Sequence, residues 1–354
     1  MKTKIQDMTS GSPGRLIILF AIPLMLGNIC QQLYTMVDTM VVGQIAGVEA
    51  LAALGAVDFL MWVVTGISTG LTQGFSIQLS QYYGAKDFEN LRKSLAHSYR
   101  LTAFIAVGVF ILSQSFAALV LTGLHTPSNI IGMSLLYLRI IFCGIPATAA
   151  YNMFAAALRA MGNSKTPLTA MIIASVLNIS LDILFVAGFG WGVAGAAIAT
   201  VIAQSFSAVY CFLILRRIDI VHLSRADFMS AAGMNARLMK LGIPVVFQNI
   251  IIGVGGLVVQ YVINGYGFLF VAGFTATNKL YGLLEMAAIS YGYAIVTYVG
   301  QNLGAGKIDR IRKGVRSSML LSLLTSLIIS IAMFLFGKNI LSLFISGEPQ
   351  QTKE

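Results

Sequence analysis

The sequence predicts an all-α integral membrane protein, and three observations support this fold class. Hydrophobic residues make up 57% of the 354 residues and charged residues only 10%, whereas a soluble domain carries about 25% charged residues. Apolar runs repeatedly reach the roughly 20 residues that a helix needs to cross about 30 Å of hydrocarbon. The basic residues are concentrated in every second connection between these runs, which is typical of a multi-pass protein and not of a large soluble core.

Nine apolar runs are predicted to cross the membrane as helices. They cover residues 16–40, 51–81, 94–121, 130–158, 167–188, 192–215, 238–263, 271–300 and 315–337. The N-terminal segment, every second connection and the adjoining helix ends hold 19 of the 23 Lys and Arg residues. Because such residues stay on the inner side, we expect a multi-pass protein of the cell membrane with its N-terminus in the cytoplasm. The net charge of +10 is thereby explained by topology, so the lipid bilayer and not nucleic acid is the expected partner.

An internal repeat divides the chain into two units. The stretch "QYYGAKDFENLRK" at 81–93 aligns without gaps with "QNLGAGKIDRIRK" at 301–313, and "AIPLMLGN" at 21–28 aligns with "GIPVVFQN" at 242–249. Both copies begin on the same side of the membrane, which predicts six-helix units related by an axis along the membrane normal. The predicted organisation is a complete six-helix first lobe, a cytoplasmic linker, and a partial second lobe that holds three helices of an incomplete six-helix bundle. These segments are 1–217, 218–237 and 238–354, respectively.

Acidic residues inside the predicted spans are the first candidates for function, because a charge in hydrocarbon is expensive. Asp38 and Asp182 are predicted to lie roughly 7 to 9 Å below the outer turns, at about 1.5 Å of rise per residue. Asn178 shares a helical face with Asp182, and Thr200 lies near the same level. We expect these four residues to form a cation-coupling site, in which Asp38, Asn178 and Asp182 hold Na⁺ or the two carboxyl groups hold a proton. The structural alternative is a neutral Asp182 hydrogen-bonded to Asn178, which would join two helices.

A substrate cavity between the lobes is the second predicted site. Its candidate lining residues are Tyr34, Asp58, Met61, Trp62 and Glu285. The two acids would attract a cation, while the aromatic and methionine side chains would form an adaptable apolar wall. The alternatives are a water-reached interface position for Asp58, structural neutralisation for Glu285, and lipid-facing or packing roles for the apolar side chains.

Matched prolines lie in the first helix of each unit. Pro23 and Pro244 are predicted to bend their helices, because each removes a backbone hydrogen bond. Neither an enzyme nor a cofactor is expected, since no nucleophile, metal or nucleotide motif stands in a polar cleft.

Four stretches of the sequence resemble the multidrug and toxic compound extrusion (MATE) family. They are the Ile-Pro at 22–23, "VDTMVVGQIAGVEALAALG" at 37–55, "GFSIQLSQYYGAKD" at 74–87 and "ALRAMGNSKTPL" at 157–168. The resemblance extends over nearly the whole chain, but only the first nine of the family's twelve helices have a counterpart. It implies an alternating-access antiporter that exports organic cations or drugs in exchange for external Na⁺ or H⁺. It also implies that Asp38, Asn178, Asp182 and Thr200 match the coupling site of the family's first lobe.

Two other functions remain open from the sequence. A lipid-linked oligosaccharide flippase of the same superfamily would need several basic residues in its cavity, whereas only Arg139 and Lys279 lie within the predicted spans away from their cytoplasmic ends. An inactive truncated membrane fragment is the second alternative, because three helices of the second lobe are missing.

Overall fold

The computed structural model describes residues 5–124, 126–229, 232–264 and 268–342, and every regular element in these ranges is helical. Ten α-helices follow one another: α1 (Pro13–Val41), α2 (Val48–Gly84), α3 (Phe88–Gly123), α4 (Ile131–Cys143), α5 (Ile145–Ala160), α6 (Lys165–Asp182), α7 (Gly192–Arg216), α8 (Met234–Asn264), α9 (Phe268–Gly304) and α10 (Ile308–Ser342). A π-helical turn continues α1 over Val42–Ala46, and another continues α6 over Ile183–Gly188.

The helices account for the predicted spans. Among the described residues, seven helices are long and apolar enough to cross a membrane, and the pair α4 and α5 makes an eighth if it is counted as one span. The predicted span 271–300 falls within α9. Residues 343–354, the end of the predicted second lobe, lie outside the described residues. The all-helical membrane fold is therefore confirmed.

The prediction of one continuous helix over 130–158 is wrong. α4 ends at Cys143, α5 begins at Ile145, and the two are bent by 46° at the break. Pro146 explains the break, because it lacks an N–H group and its ring disfavours a helical conformation of the preceding residue. Gly144 at the bend lets α7 approach closely, since a Cβ there would lie 2.7 Å from Val201 Cγ2.

Small residues allow the first seven helices to pack closely. In α5 the buried positions include Ala155, Ala156 and Ala160, and in α7 they include Gly195 and Ala196. In lipid the association of helices depends on close van der Waals packing and not on exclusion of water, so small side chains at the contacts are expected. The polar positions of these helices are thereby held in fixed places.

Helices from the two repeat copies also pack against each other. α8 lies along the second half of α2, where Gly74 and Gly242 meet so closely that a Cβ on Gly74 would lie 2.3 Å from the Gly242 Cα. Asn249 strengthens the same contact by donating from Nδ2 to the carbonyl oxygen of Gly66 at 3.1 Å. This packing joins the two predicted lobes. The division into 1–217, 218–237 and 238–354 stays a prediction.

The predicted linker contains two short 3₁₀ turns, Asp219–Val221 and Arg225–Phe228, and it packs against α3. Asp227 Oδ2 accepts hydrogen bonds from the Ser224 N–H at 2.7 Å and the Ser224 hydroxyl at 2.8 Å, and Arg92 Nε lies 3.7 Å from Asp227 Oδ1. Burial raises the pKa of the Asp227 carboxyl, but these hydrogen bonds and the Arg92 charge outweigh it and lower the pKa below its usual value. The linker is therefore a docked segment.

Candidate cation-coupling site

The packing of α1 against α6 brings Asp38 and Asp182 into one buried region. Each acid stands at or near the end of its α-helix, and in both cases a π-helical turn follows: Val42–Ala46 after α1 and Ile183–Gly188 after α6. The two π-turns contact each other. Such turns occur frequently at functional sites because they redirect the residues around them. No sequence pattern predicts these turns, and α1 with its π-turn extends beyond the predicted end at residue 40.

Burial makes the ionised form of this pair of acids energetically unfavourable. Asp182 is 0% exposed and Asp38 is 6% exposed, and the two lie close enough for their charges to interact. Two ionised carboxylates that are buried side by side repel each other and have lost their hydration. A bound cation or a proton relieves this repulsion, so the geometry suits a site that takes up positive charge.

Four oxygen atoms of the site lack partners among the described residues. Asp38 Oδ1, Asn178 Oδ1 and both carboxylate oxygens of Asp182 are buried and accept no hydrogen bond from any described residue. Buried polar atoms normally have a partner, and leaving one without costs about 1 to 3 kcal/mol. The predicted alternative, an Asp182 hydrogen-bonded to Asn178, has no matching contact among the described residues. Carboxylate and amide oxygens are the ligands that hard cations prefer.

Asn178 is held by α7. Its Nδ2 donates to Thr200 Oγ1 over a long contact of 3.5 Å, which leaves the amide oxygen available to a ligand. The structure thus brings Asn178 and Thr200 together from two different helices, and their role in cation coupling stays a prediction. In the described part of the chain no group of three or more His, Cys, Asp or Glu could hold a metal ion. A cation here would therefore be bound by two carboxylates together with neutral oxygens.

Tyr34 lies beside the acids and not apart from them. It precedes Asp38 by one helical turn, is 9% exposed, and is near enough for interaction with the charges of Asp38 and Asp182. Gln204, one turn after Thr200 on α7, donates from Nε2 to the Tyr34 hydroxyl at 3.4 Å. Tyr34 is predicted to line the substrate cavity, and Gln204 is not among the predicted site residues, although its i, i+4 spacing from Thr200 is a usable signal.

A second tyrosine completes the surroundings. Tyr137 of α4 is 5% exposed, and the charges of Asp38 and Asp182 act on it. No feature of the apolar run around it distinguishes Tyr137 from a packing residue, so sequence analysis did not select it.

The remaining predicted cavity residues are more open. Asp58 and Trp62 lie one turn apart on α2 and are both exposed, Trp62 by 44%. Asp58 is near enough to Asp38 for their charges to interact. Met61 is half-buried and packs against the hydrophobic core of the first seven helices, and Glu285 of α9 is exposed. Their role in a substrate cavity stays a prediction.

The two prolines lie inside continuous helices. Pro23 is buried in α1, and Pro244 is exposed in α8. Each helix contains its proline without an interruption of the α-helical assignment, and the predicted bends at these positions stay predictions.

Membrane-length apolar helices packed around buried ionisable side chains are typical of multi-pass membrane transport proteins. A family model described as MatE matches residues 23–184 and 244–350. The chain belongs to this family, whose members are transporters and not enzymes. The family resemblance of the sequence motifs is thereby confirmed.

Two relatives from Bacillus subtilis and one solved structure are similar over almost the whole chain. "Probable multidrug resistance protein YpnP" is 31% identical over 343 residues, which are 97% of this chain and 77% of that protein. "Probable multidrug resistance protein YoeA" is 29% identical over 351 residues, or 97% of this chain and 76% of that protein. A MOP superfamily transporter from Pyrococcus furiosus superimposes with a TM-score of 0.92 at 22% identity, covering 99% of this chain and 78% of that one. The last similarity shows a shared fold.

Proposed function

We propose that this protein is a secondary antiporter that exports drugs or other organic cations in exchange for Na⁺ or H⁺. The names of the two Bacillus subtilis relatives, both multidrug resistance proteins, support this class of substrate. The observation that carries the coupling is the buried pair of Asp38 and Asp182, since Asp38 Oδ1 and both carboxylate oxygens of Asp182 lack partners among the described residues. A cation is the species that this pair is built to take up.

Coupling requires that the cation and the drug favour opposite conformations of the protein. Moving a two-state equilibrium from 1:99 to 99:1 takes a difference of about 5.5 kcal/mol in binding free energy. Buried ions carry a penalty of several kcal/mol each when unpaired. The free energy gained when a cation neutralises Asp38 and Asp182 is therefore large enough to drive alternating access.

Na⁺ and H⁺ can be distinguished as the coupling ion because they would use different numbers of ligands. Na⁺ would be bound by oxygens of Asp38, Asn178 and Asp182, with Thr200 beside them, since hard cations select carboxylate, amide and hydroxyl groups. H⁺ would need the two carboxyl groups alone. Replacing Asn178 by Leu therefore separates the two ions, because it removes a Na⁺ ligand and leaves both acids in place.

The substrate is proposed to bind between the two repeat units. Asp58 and Trp62 present a carboxylate and an indole ring on one exposed face of α2. An organic cation interacts favourably with both groups, through charge and through the face of the ring. Tyr34, Met61 and Glu285 would contribute the remaining wall of this cavity.

The proposed setting is the plasma membrane, with the N-terminus in the cytoplasm and each repeat unit forming a lobe. A membrane-impermeant maleimide tests this topology with single cysteines in a background that lacks Cys30, Cys143 and Cys211. Phe189→Cys should be labelled in intact cells, and Arg225→Cys only after permeabilisation. The reverse pattern would contradict the proposed orientation.

The proposed function is tested by drug efflux from proteoliposomes under an imposed Na⁺ or pH gradient. Asp182→Asn keeps the shape of the side chain and removes its charge, so gradient-driven efflux should fall to the rate of empty vesicles. Asp219→Asn is the matched control, because Asp219 is an exposed acid in the linker. Efflux by Asp182→Asn at the wild-type rate under either gradient would refute the coupling role.

A further inference from the structure

The segment before α1, residues 5–11, is held in place by side chains from the far end of the chain. We call it the N-terminal strap. Met8 within it is 0% exposed, although the segment is irregular. The Met8 N–H donates to Gln301 Oε1 at 3.0 Å, and the Met8 carbonyl oxygen accepts from Asn302 Nδ2 at 3.0 Å. Both backbone groups of a buried loop residue are thus satisfied by side chains from the α9 end.

Arg310 and Lys307 bind the rest of the strap. Arg310 donates from Nη1 to the carbonyl oxygen of Gly11 at 2.9 Å and from Nε to Asn302 Oδ1 at 3.0 Å. Lys307 donates from Nζ to the carbonyl oxygen of Thr9 at 2.9 Å. The bonds to Thr9 and Gly11 span almost 300 positions of sequence, so the strap is fastened to the second repeat unit.

Gln301 and the strap also bind the first repeat unit. Gln301 is 0% exposed and uses the other end of its amide to donate from Nε2 to the carbonyl oxygen of Ala160, the last residue of α5, at 2.8 Å. The Gln6 N–H donates to the carbonyl oxygen of Gly162 at 3.2 Å. Arg159 lies over the ring of Tyr293 of α9, with 4.7 Å from Cζ to the ring centroid. Gln301 therefore bridges the strap, α5 and its own helix.

The two copies of the repeat motif, at 81–93 and 301–313, contact each other beside Gln301. A Cβ on Gly84 would lie 1.9 Å from the carbonyl oxygen of Gln301, and a Cβ on Gly304 would lie 1.9 Å from the carbonyl oxygen of Gln81. Gln81 and Gln301, and likewise Gly84 and Gly304, occupy equivalent positions of the repeat. The contact is thus reciprocal, and at each crossing only glycine leaves room for the opposite backbone.

We propose that Gln301, with Asn302 and Arg310, is a positioning residue that locks this end of the molecule closed, and that release of the N-terminal strap accompanies its opening during transport. The inference rests on the proposed alternating-access function, because the bonded groups belong to the two units that must separate. The strap leads directly into α1, the helix that carries Asp38. A change at the strap is therefore transmitted along one continuous helix to the coupling site.

Distances between spin labels test the lock without any transport assay. Labels on Glu89→Cys and Asp309→Cys report the separation of the two units at this end, since both residues are exposed and occupy equivalent repeat positions. The background lacks the three native cysteines. Gln301→Ala should raise the ratio of long to short distances about tenfold or more, because two buried hydrogen bonds are lost. Gln81→Ala is the matched control, since the Gln81 side chain forms no hydrogen bond to a described residue, and its distances should be those of the wild type.

A second pair of variants guards against a folding defect in Gln301→Ala. Gly304→Ala places a methyl group against the Gln81 backbone and should also lengthen the distance, whereas a Cβ on Gly108 meets no atom within 4 Å, so Gly108→Ala should not. Unchanged distances in both Gln301→Ala and Gly304→Ala, in protein that elutes as the wild type does, would overturn the lock. Failure of the proposed function would instead appear as absent efflux in the wild type, whatever the distances are.

Discussion

Asp38 and Asp182 lie within electrostatic reach of each other from two different helices, and a π-helical turn follows each of them. Each acid alone would be an expensive buried group. Together with the oxygen of Asn178 they form a set of acceptors without donors among the described residues. The functional unit is therefore the pair, and the first prediction concerns its cooperativity.

The double substitution Asp38→Asn with Asp182→Asn should reduce gradient-driven efflux hardly more than either single substitution. Residues that act as one unit are strongly non-additive, because the first change already removes the function that the second would damage. The measurement is a double-mutant cycle on initial efflux rates in proteoliposomes. Losses that add for the two positions would assign the two acids separate roles.

Tyr34 should tune the affinity of the site for the coupling cation. Tyr34→Phe removes the hydroxyl that accepts from Gln204, and we expect the cation concentration for half-maximal efflux to rise by about fivefold, equivalent to roughly 1 kcal/mol. The maximal rate should change little. Tyr210→Phe is the control, because Tyr210 stacks on Phe206 of the same helix. A Tyr34→Phe variant with wild-type cation dependence would exclude Tyr34 from the site.

Asp227 should stabilise the docked linker in a pH-dependent manner. Because the pKa of Asp227 is lowered in the folded protein, its contribution is present above the unfolded pKa of about 3.9 and is lost as the pH falls through the lower folded value. Asp227→Ala should therefore lower the free energy of unfolding by about 1 kcal/mol at pH 7, a typical net contribution of an intramolecular hydrogen bond. The difference from the wild type should shrink below about pH 4.

Thermal unfolding in detergent between pH 3 and pH 7 measures this effect. Asp219→Ala provides the comparison, since Asp219 lies in the same linker and is exposed. A difference between Asp227→Ala and the wild type that stays constant over the whole range would show that the charge of Asp227 contributes nothing.

Much of the fold was predictable because it depends on local patterns. Apolar run length, alternating positive charge and the repeat of 81–93 at 301–313 can all be found in the sequence without knowledge of side-chain contacts. The break at Gly144 was missed because the run over 130–158 stays apolar through Pro146. An apolar run therefore predicts a span more reliably than it predicts one continuous helix.

The candidate site was predictable to the extent that depth in the membrane can be counted along a helix. Counting places Thr200 near the level of Asp182, Asn178 shares a helical face with Asp182, and the structure brings Asn178 and Thr200 into contact. It could not show that Tyr34 turns toward Gln204, nor that Met8 is bound by Gln301, because those contacts depend on how distant helices are rotated about their axes.

Cation flux in the direction opposite to the drug tests the central claim most directly. Proteoliposomes loaded with drug, in a medium that contains labelled Na⁺ or a pH indicator, should take up one of the two cations only while the drug leaves. Asp182→Asn should abolish this uptake, and Asp219→Asn should preserve it. Drug efflux without uptake of either Na⁺ or H⁺, or uptake that persists in Asp182→Asn, would contradict an antiporter coupled through Asp38 and Asp182.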